Sequence, residues 1–368
     1  MARHKEGIPY VDLSAQWEIE RDELLPIIEK IMASGTYVNG ENVKLIELKI
    51  ADYCSVDHCV TLNSGTDALM LGMWALGIKP GDEVITPPNS FIASTAAIIH
   101  LGAKPIFVDV DPAQLIDINK IENLITKNTK AIMPVHLTGL MANMEKINIL
   151  AEKYNLVVIE DAAQSIGSKL NGRLSGTFGD VGCFSTHPLK NLNACGDGGF
   201  LTTNNKAIYE KAKLLRNHGL KNRNNAETFG YVSRMDTLQA AILNVKIDYY
   251  NDDIKNRQRV ANKYTELLKN HIQTPIINPN KKSVWAQYSI QIKNRSLVQK
   301  KLSAKNIPTA IHYPKPLHLQ KCFEYLGHKK GDFPISEKLA KTSLSLPVHE
   351  FINKKHVNHV INLRVYSY

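Results

Sequence analysis

The segment Gly182-Cys-Phe-Ser-Thr-His-Pro-Leu-Lys-Asn-Leu-Asn-Ala-Cys-Gly-Asp-Gly-Gly-Phe200 reads as two short apolar strands, Val181–Ser185 and Phe200–Thr203, joined by a polar loop. The loop carries one cation, Lys190, with Ser185 and His187 before it and Gly196, Gly198 and Gly199 after it. A loop lysine is ordinarily a solvated charge. Taken out of water it can lose its proton and attack a carbonyl, and neighbouring hydroxyls and glycine amides can hold a phosphate. Whether Lys190 does chemistry therefore depends on what the flanking sequence places around it.

Upstream, Cys59–Leu62, Glu83–Thr86, Lys104–Asp109, Ala131–Pro134 and Leu156–Glu160 read as strands. They alternate with helices over Thr66–Leu76, Ser90–His100 and Asn143–Tyr154. That alternation predicts an α/β fold with a mostly parallel central sheet covered on both faces. Ligands of such sheets bind beyond the carboxyl ends of the strands. After the first strand, Asn63-Ser64-Gly65-Thr66-Asp67 opens a helix, and free amides there make an anion site. Ser64 or Thr66 acting as a plain cap is the simpler alternative. Phe91 follows the second strand, as either a core residue or an aromatic at the sheet's edge. Asp161 ends an apolar strand, where a carboxylate is costly to bury without a cation or a donor. A protonated pyridine nitrogen would satisfy it; a helix cap is the alternative use.

Before this region, Leu13–Ala33 has helical spacing and stops at Ser34-Gly35, followed by a loop with Tyr37 and a helix over Glu41–Tyr53. After it, Ala207–Asn217 is predicted helical. Ser233-Arg234-Met235-Asp236 opens a long helix to Tyr250, with Asp236 in its first turn, and a separate helix follows from Asp252 to Leu268. A strand over Trp285–Ile292, a helix over Leu297–Lys305 and Ile311-His312-Tyr313 complete a smaller α+β domain. The division is set at residues 1–250 and 251–368 by a shift in composition. Residues 251–368 hold 21 Lys and Arg against 7 Asp and Glu, whereas the first 250 hold 24 against 28.

The whole chain has 368 residues, 43% of them hydrophobic and 22% charged, as in an ordinary globular protein. No apolar run reaches the length of a membrane span and the start has no signal-peptide core, so a cytoplasmic protein is expected. Cys54, Cys59, Cys183, Cys195 and Cys322 form no CxxC, which points to free thiols and no metal site. The formal charge of +10 raises nucleic-acid binding. The lysines are dispersed, however, without an arginine-rich or aromatic-interleaved motif. They read as a solvated surface that also draws in a small anionic substrate.

Seven blocks in order resemble the DegT/DnrJ/EryC1/StrS sugar aminotransferases. They are Asn63 to Leu69, Asp82 to Pro87, Pro134 to Gly139, Glu160 to Gln164, Ser185 to Lys190 with Gly196 to Gly199, Ser233 to Asp236 with Gln239-Ala-Ala, and His312-Tyr-Pro with Pro316-Leu-His318. The resemblance spans nearly the whole chain. It implies the type I aminotransferase fold and pyridoxal 5′-phosphate, with pyridoxamine phosphate as its amino form. Lys190 is then the lysine that holds the cofactor and moves the proton, and Asp161 the partner of the pyridinium nitrogen. Phe91 would stack on the ring, Gln164 would lie near its phenolic oxygen, and Gly65, Thr66 and Ser185 would hold the phosphate. Gly35, Tyr37, Arg234, His312, Tyr313 and His318 correspond to positions that touch or shape the site for a nucleotide sugar. His136 and His187 would be structural.

The resemblance further implies a homodimer with shared active sites, Arg234 serving the neighbouring one. The implied reaction moves an amino group from an amino acid, glutamate foremost, to a nucleotide-linked keto-deoxysugar for amino-sugar, O-antigen or other surface-glycan synthesis. A 3-keto sugar is favoured over a 4-keto one, and a dTDP or UDP carrier over GDP. The chain departs from the family at Val232, where many members carry an Asn that reaches the partner's cofactor phosphate; Val cannot donate a hydrogen bond. Either Ser233 or a backbone amide replaces it, or the phosphate has one contact fewer. Two other functions compete. A dehydratase of the same family would carry His in place of Lys190, and a non-catalytic sugar-nucleotide sensor would be expected to lose Lys190 or Asp161.

Overall fold

The computed structural model describes residues 7–361 and 366. Seven strands form the central sheet: β1 (His58–Leu62), β2 (Glu83–Thr86), β3 (Lys104–Phe107), β4 (Thr129–Ile132), β5 (Val157–Asp161), β6 (Val181–Ser185) and β7 (Gly199–Thr203). Their spatial order is β1-β7-β6-β5-β4-β2-β3. The run from β6 to β3 is parallel, and β7 lies antiparallel to both β6 and β1. Most strand residues are buried on both faces, so the strands read as continuous apolar runs rather than as alternation.

Helices α1 (Leu13–Ser34), α2 (Glu41–Cys54), α3 (Gly65–Ala75), α4 (Ile92–His100), α5 (Met144–Tyr154) and α6 (Lys206–Leu215) surround the sheet. Polar caps start several of them: Asp12, Ser64, Asn143 and Asn205 each accept a hydrogen bond from a first-turn amide. One core packs α3 and α4 against the sheet through Leu71, Met73 and Ile98; another seats α2 through Ile46 and Ile50.

Helix α7 (Thr237–Leu268) is a single element of 32 residues, which corrects the expected break at Asn251. Asn251 and Asp252 are exposed, so their low helix propensity imitates a stop; with no Gly or Pro present the backbone continues. The N-terminal half of α7 packs into the α2 core through Leu243, Ile247 and Tyr250. Its C-terminal half enters a second core through Val260, Tyr264 and Leu268. There β8 (Tyr288–Gln291) pairs antiparallel with β9 (Ser343–Leu346), near α8 (Arg295–Ser303), α9 (Pro334–Thr342) and α10 (Lys354–Val360). Ile8, from the N-terminal end of the chain, also belongs to this core. The proposed boundary at residue 250 therefore falls inside a continuous helix.

Candidate active site

The carboxyl ends of β5 and β6 and the N-terminus of α3 meet at a cavity of about 720 Å³. Gly65, Thr66, Phe91, Asp161, Gln164, Ser185, Lys190, His312 and Tyr313 all line it. These residues come from separate blocks of the sequence, and the parallel sheet brings their strand ends together.

The α3 corner is built by close approach. A Cβ on Gly65 would stand 2.6 Å from the Ser185 Cβ, and one on Gly199 would stand 2.4 Å from the carbonyl carbon of Ser64. Only glycines let α3, β6 and β7 converge there. Ser64 Oγ accepts from the Asp67 amide at 3.1 Å, while helix geometry leaves the Gly65 and Thr66 amides without an intrahelical carbonyl. Ser64 is thus the cap, the simpler of the two alternatives, and the Gly65 and Thr66 amides are left free at the cavity's edge.

Asp161 is buried at the end of β5 and is no helix cap. Its Oδ2 accepts from Ser94 Oγ at 2.6 Å and its Oδ1 from the Ala163 amide at 3.3 Å; Ser90 Oγ stands 2.6 Å behind Ser94 Oγ. Burial raises the Asp161 pKa, opposed first by the Ser94 hydrogen bond and then by the Ala163 amide and the Lys190 charge. Lys190 is half-buried on the opposing loop, and its amide donates to the His187 carbonyl at 2.8 Å. Burial lowers the Lys190 pKa, with Asp161 pulling the other way. The cavity thus pairs a carboxylate and an amine that both lean toward their neutral forms.

Phe91 is 54% exposed, which rules out the core alternative; its ring lies 5.7 Å from that of Tyr313. His312 Nδ1 stands 3.3 Å from Ser345 Oγ, and burial, helped by Lys190, lowers the His312 pKa to about 4. Burial, reinforced by the Asp161 charge, raises Tyr313 to about 12. Both are neutral near pH 7.

The remaining candidates lie elsewhere. His318 is corrected: it is 1% exposed, its Nε2 lies 3.2 Å from Glu337 Oε1, and its ring packs on Phe333 at 4.6 Å. So enclosed, it presents no face to the cavity. Gly35, in the left-handed conformation, ends α1. Tyr37 lies beside the start of α7, its carbonyl accepting from the Thr237 amide at 2.9 Å. Arg234 Nη1 donates to Asn217 Oδ1 at 3.1 Å. These three sit outside the Lys190 cavity. Ser233 is buried, with its hydroxyl 3.4 Å from Asn63 Oδ1, and Val232 is exposed.

His136 is fully buried. The Ala142 amide donates to its Nδ1 at 3.3 Å, so Nε2 carries the proton and donates to Glu160 Oε2 at 3.1 Å. Glu160 also accepts from the amides of Gly176, Phe178 and Gly179 at 2.7–2.8 Å, fixing the strand that presents Asp161. His187 is exposed and lines the cavity. Sequence reasoning missed Ser94, Tyr10, Arg257, Gln287 and His349. Ser94 had a signal, since a buried carboxylate demands a donor; the others come from remote segments with no local pattern.

The cavity fits pyridoxal phosphate. The Gly65–Ser185 contact leaves a cradle without a Cβ, open amides there suit an anion, a buried carboxylate suits a ring N–H, and an amine lines the same cavity. The model of the DegT/DnrJ/EryC1/StrS aminotransferase family matches residues 18–363. The chain is 39% identical over 348 residues to the Pseudomonas aeruginosa UDP-2-acetamido-2-deoxy-3-oxo-D-glucuronate aminotransferase, covering 94% of this chain and 96% of that one. It is 41% identical over 356 residues to the Aneurinibacillus thermoaerophilus dTDP-3-amino-3,6-dideoxy-alpha-D-galactopyranose transaminase, covering 96% and 98%. The crystal structure of NtdA from Bacillus subtilis with bound cofactor PMP superimposes with a TM-score of 0.90 at 31% identity, covering 99% of this chain and 86% of that one.

Proposed function

The chain belongs to the DegT/DnrJ/EryC1/StrS family and is a pyridoxal-phosphate-dependent sugar aminotransferase; from that premise we propose that it aminates a UDP- or dTDP-linked 3-keto-deoxysugar, with glutamate as donor. The amino acid leaves as its keto acid and the keto sugar becomes an amino sugar for surface-glycan synthesis in the cytoplasm. The observation that carries this reading is Lys190 and Asp161 facing one cavity with the N-terminus of α3 at its edge. The carbon-3 preference is supported by both relatives, whose names place their chemistry at that carbon.

When bound, pyridoxal phosphate supplies a carbonyl that takes up amines and a cationic ring that accepts electrons as a neighbouring C–H bond loses its proton. Lys190 Nζ would be the amine that holds the cofactor and the group that moves that proton. It must be neutral to do so, and burial lowers its pKa in that direction. Asp161 would hold the ring N–H, and the Ser94 hydrogen bond favours its ionised form against the pull of burial. The Gly65 and Thr66 amides and the Ser185 hydroxyl would hold the phosphate. Phe91 would stack on the ring, Gln164 would lie near its phenolic oxygen, and neutral His312 and Tyr313 would wall the sugar side.

Gly35, Tyr37 and Arg234 serve a partner copy's cavity in a homodimer. Their surroundings support this: Tyr37, Val38, Tyr231 and Val232 are exposed, and Phe229 is 89% exposed. Such an apolar surface seeks cover. The test is Lys190→Ala purified with cofactor and assayed with glutamate and a panel of UDP- and dTDP-linked 3- and 4-keto sugars. Loss of the covalently bound cofactor's absorbance band together with turnover is expected; a variant that keeps both would overturn the role of Lys190.

A further inference from the structure

A second cavity, of about 240 Å³, lies between the Asp111–Leu115 turn and residues 273–291, and among the described residues it shares only Gln287 with the Lys190 cavity. Two buried amides line it with atoms left unpartnered: Oε1 of Gln114, 5% exposed, and both Oε1 and Nε2 of Gln287, 3% exposed. Buried polar atoms are nearly always hydrogen-bonded, so these imply a partner that the chain does not itself supply.

The wall also carries one charge of each sign. Lys281 Nζ spends one donor on the Met141 carbonyl at 2.8 Å and keeps the others. Asp111 commits Oδ1 to the amides of Ala113 and Leu115 at 2.8 and 3.1 Å. Among the described residues no donor meets its Oδ2. Burial pulls the Lys281 pKa down and pushes that of Asp111 up; each shift is opposed in part by the other's charge, yet the direction set by burial wins for both.

The backbone is strained at two lining residues. Gln114 has φ +68° and Trp285 φ +52°, a region that residues of this kind rarely occupy. The turn that holds Gln114 there, with Gln114 N donating to the Asp111 carbonyl at 3.0 Å, sets its amide against Ser289 Oγ at 3.0 Å. Strain kept next to unpartnered polar atoms marks a site rather than plain packing.

We propose that this cavity binds a free α-amino acid, at a site separate from the Lys190 cavity and joined to it through Gln287. A simple anion would meet Asp111 and a simple cation would meet Lys281. A zwitterion answers both: its ammonium faces Asp111 and the Gln114 Oε1, and its carboxylate faces Lys281 and a Gln287 amide. Gln287 also lines the catalytic cavity and is the residue at which the two sites adjoin.

The inference does not rest on the reading of Lys190, and its test keeps the two apart. The cofactor-loaded enzyme, its Lys190→Ala variant, Lys281→Met and Gln114→Gly are titrated calorimetrically with each of the common amino acids. Gln114→Gly removes the amide while suiting the left-handed backbone, and Lys281 is half-exposed, so both variants keep the fold, as a melting curve checks. One amino acid is expected to bind the enzyme and Lys190→Ala alike, and to bind Lys281→Met and Gln114→Gly at least roughly tenfold more weakly. Binding that disappears in Lys190→Ala but survives Lys281→Met would place the ligand in the catalytic cavity and overturn the proposal. So would saturable binding of no amino acid, which would leave the amides to ordered water.

Discussion

Ser94 donates a 2.6 Å hydrogen bond to the buried carboxylate of Asp161, and that bond is the largest influence opposing the rise in the Asp161 pKa caused by burial. Removing it in Ser94→Ala leaves desolvation less opposed, so the folded pKa of Asp161 climbs further. The acid limb of the pH–kcat profile should move to higher pH. Turnover at neutral pH should fall roughly tenfold or more, in line with about 1.5–3 kcal/mol for a hydrogen bond to a charged group. Steady-state kinetics across pH test this; an unmoved acid limb would contradict the role of Ser94.

Gly65→Ala should expel cofactor. The new Cβ would stand 2.6 Å from the Ser185 Cβ, a contact that α3 and β6 can relieve only by moving apart. Overpacking of this kind costs about 1–3 kcal/mol, and here it also displaces the free amides at the start of α3 that we propose hold the phosphate. Equilibrium dialysis against pyridoxal phosphate should show weaker retention at an unchanged far-UV spectrum.

Glu160 and Asp161 are neighbours with different duties, and amide substitutions should separate them. Glu160→Gln places an NH2 group against donors from Gly176, Phe178, Gly179 and His136. Each buried donor left unpaired costs about 1–3 kcal/mol, so the urea midpoint should drop sharply. Asp161→Asn should lose turnover with a much smaller change in midpoint. Equal effects on both measurements in both variants would refute the division.

His312 makes stability pH-dependent. Its folded pKa of about 4 lies below the ordinary 6.5. Between those values the unfolded chain binds more protons, so this group favours unfolding as pH falls from about 6.5 toward 4. Urea midpoints of the wild type should decline over that window more steeply than those of His312→Gln. His318 and His349 are also depressed by burial and give both proteins a shared background slope.

Arg234 lies outside the cavity of its own chain, which predicts complementation. Lys190→Ala and Arg234→Ala should each be inactive as homodimers. Co-refolded, they should regain measurable turnover, because one mixed site then carries both native residues. Absence of rescue at confirmed subunit exchange would place Arg234 outside the site altogether.

What the sequence disclosed follows from where information is local. Strand ends and helix starts carry their own chemistry, so Asp161, Gly65-Thr66 and Lys190 were legible as candidates, and the resemblance added the roles of Phe91 and Gln164. The supports behind them were not. Ser94 reaches Asp161 across 67 positions, and Arg257 and His349 line the cavity from segments whose patterning serves a different core. His318 misled because a motif gives position in the chain and not the direction of a side chain. The break expected near Asn251 misled because exposed polar residues lower helix propensity without ending a helix that is held at both halves by packing.

That unbroken helix has a mechanical meaning. At about 1.5 Å per residue, α7 is a strut of roughly 48 Å with its two ends anchored in different cores. Arg257, on the same strut, forms part of the cavity wall. A loose joint at residue 250 would let the wall bearing His312 and Tyr313 swing away from Lys190. A rod resists such a swing along its whole length, so the width of the cleft is held by the stiffness of one helix rather than by the tension of a linker.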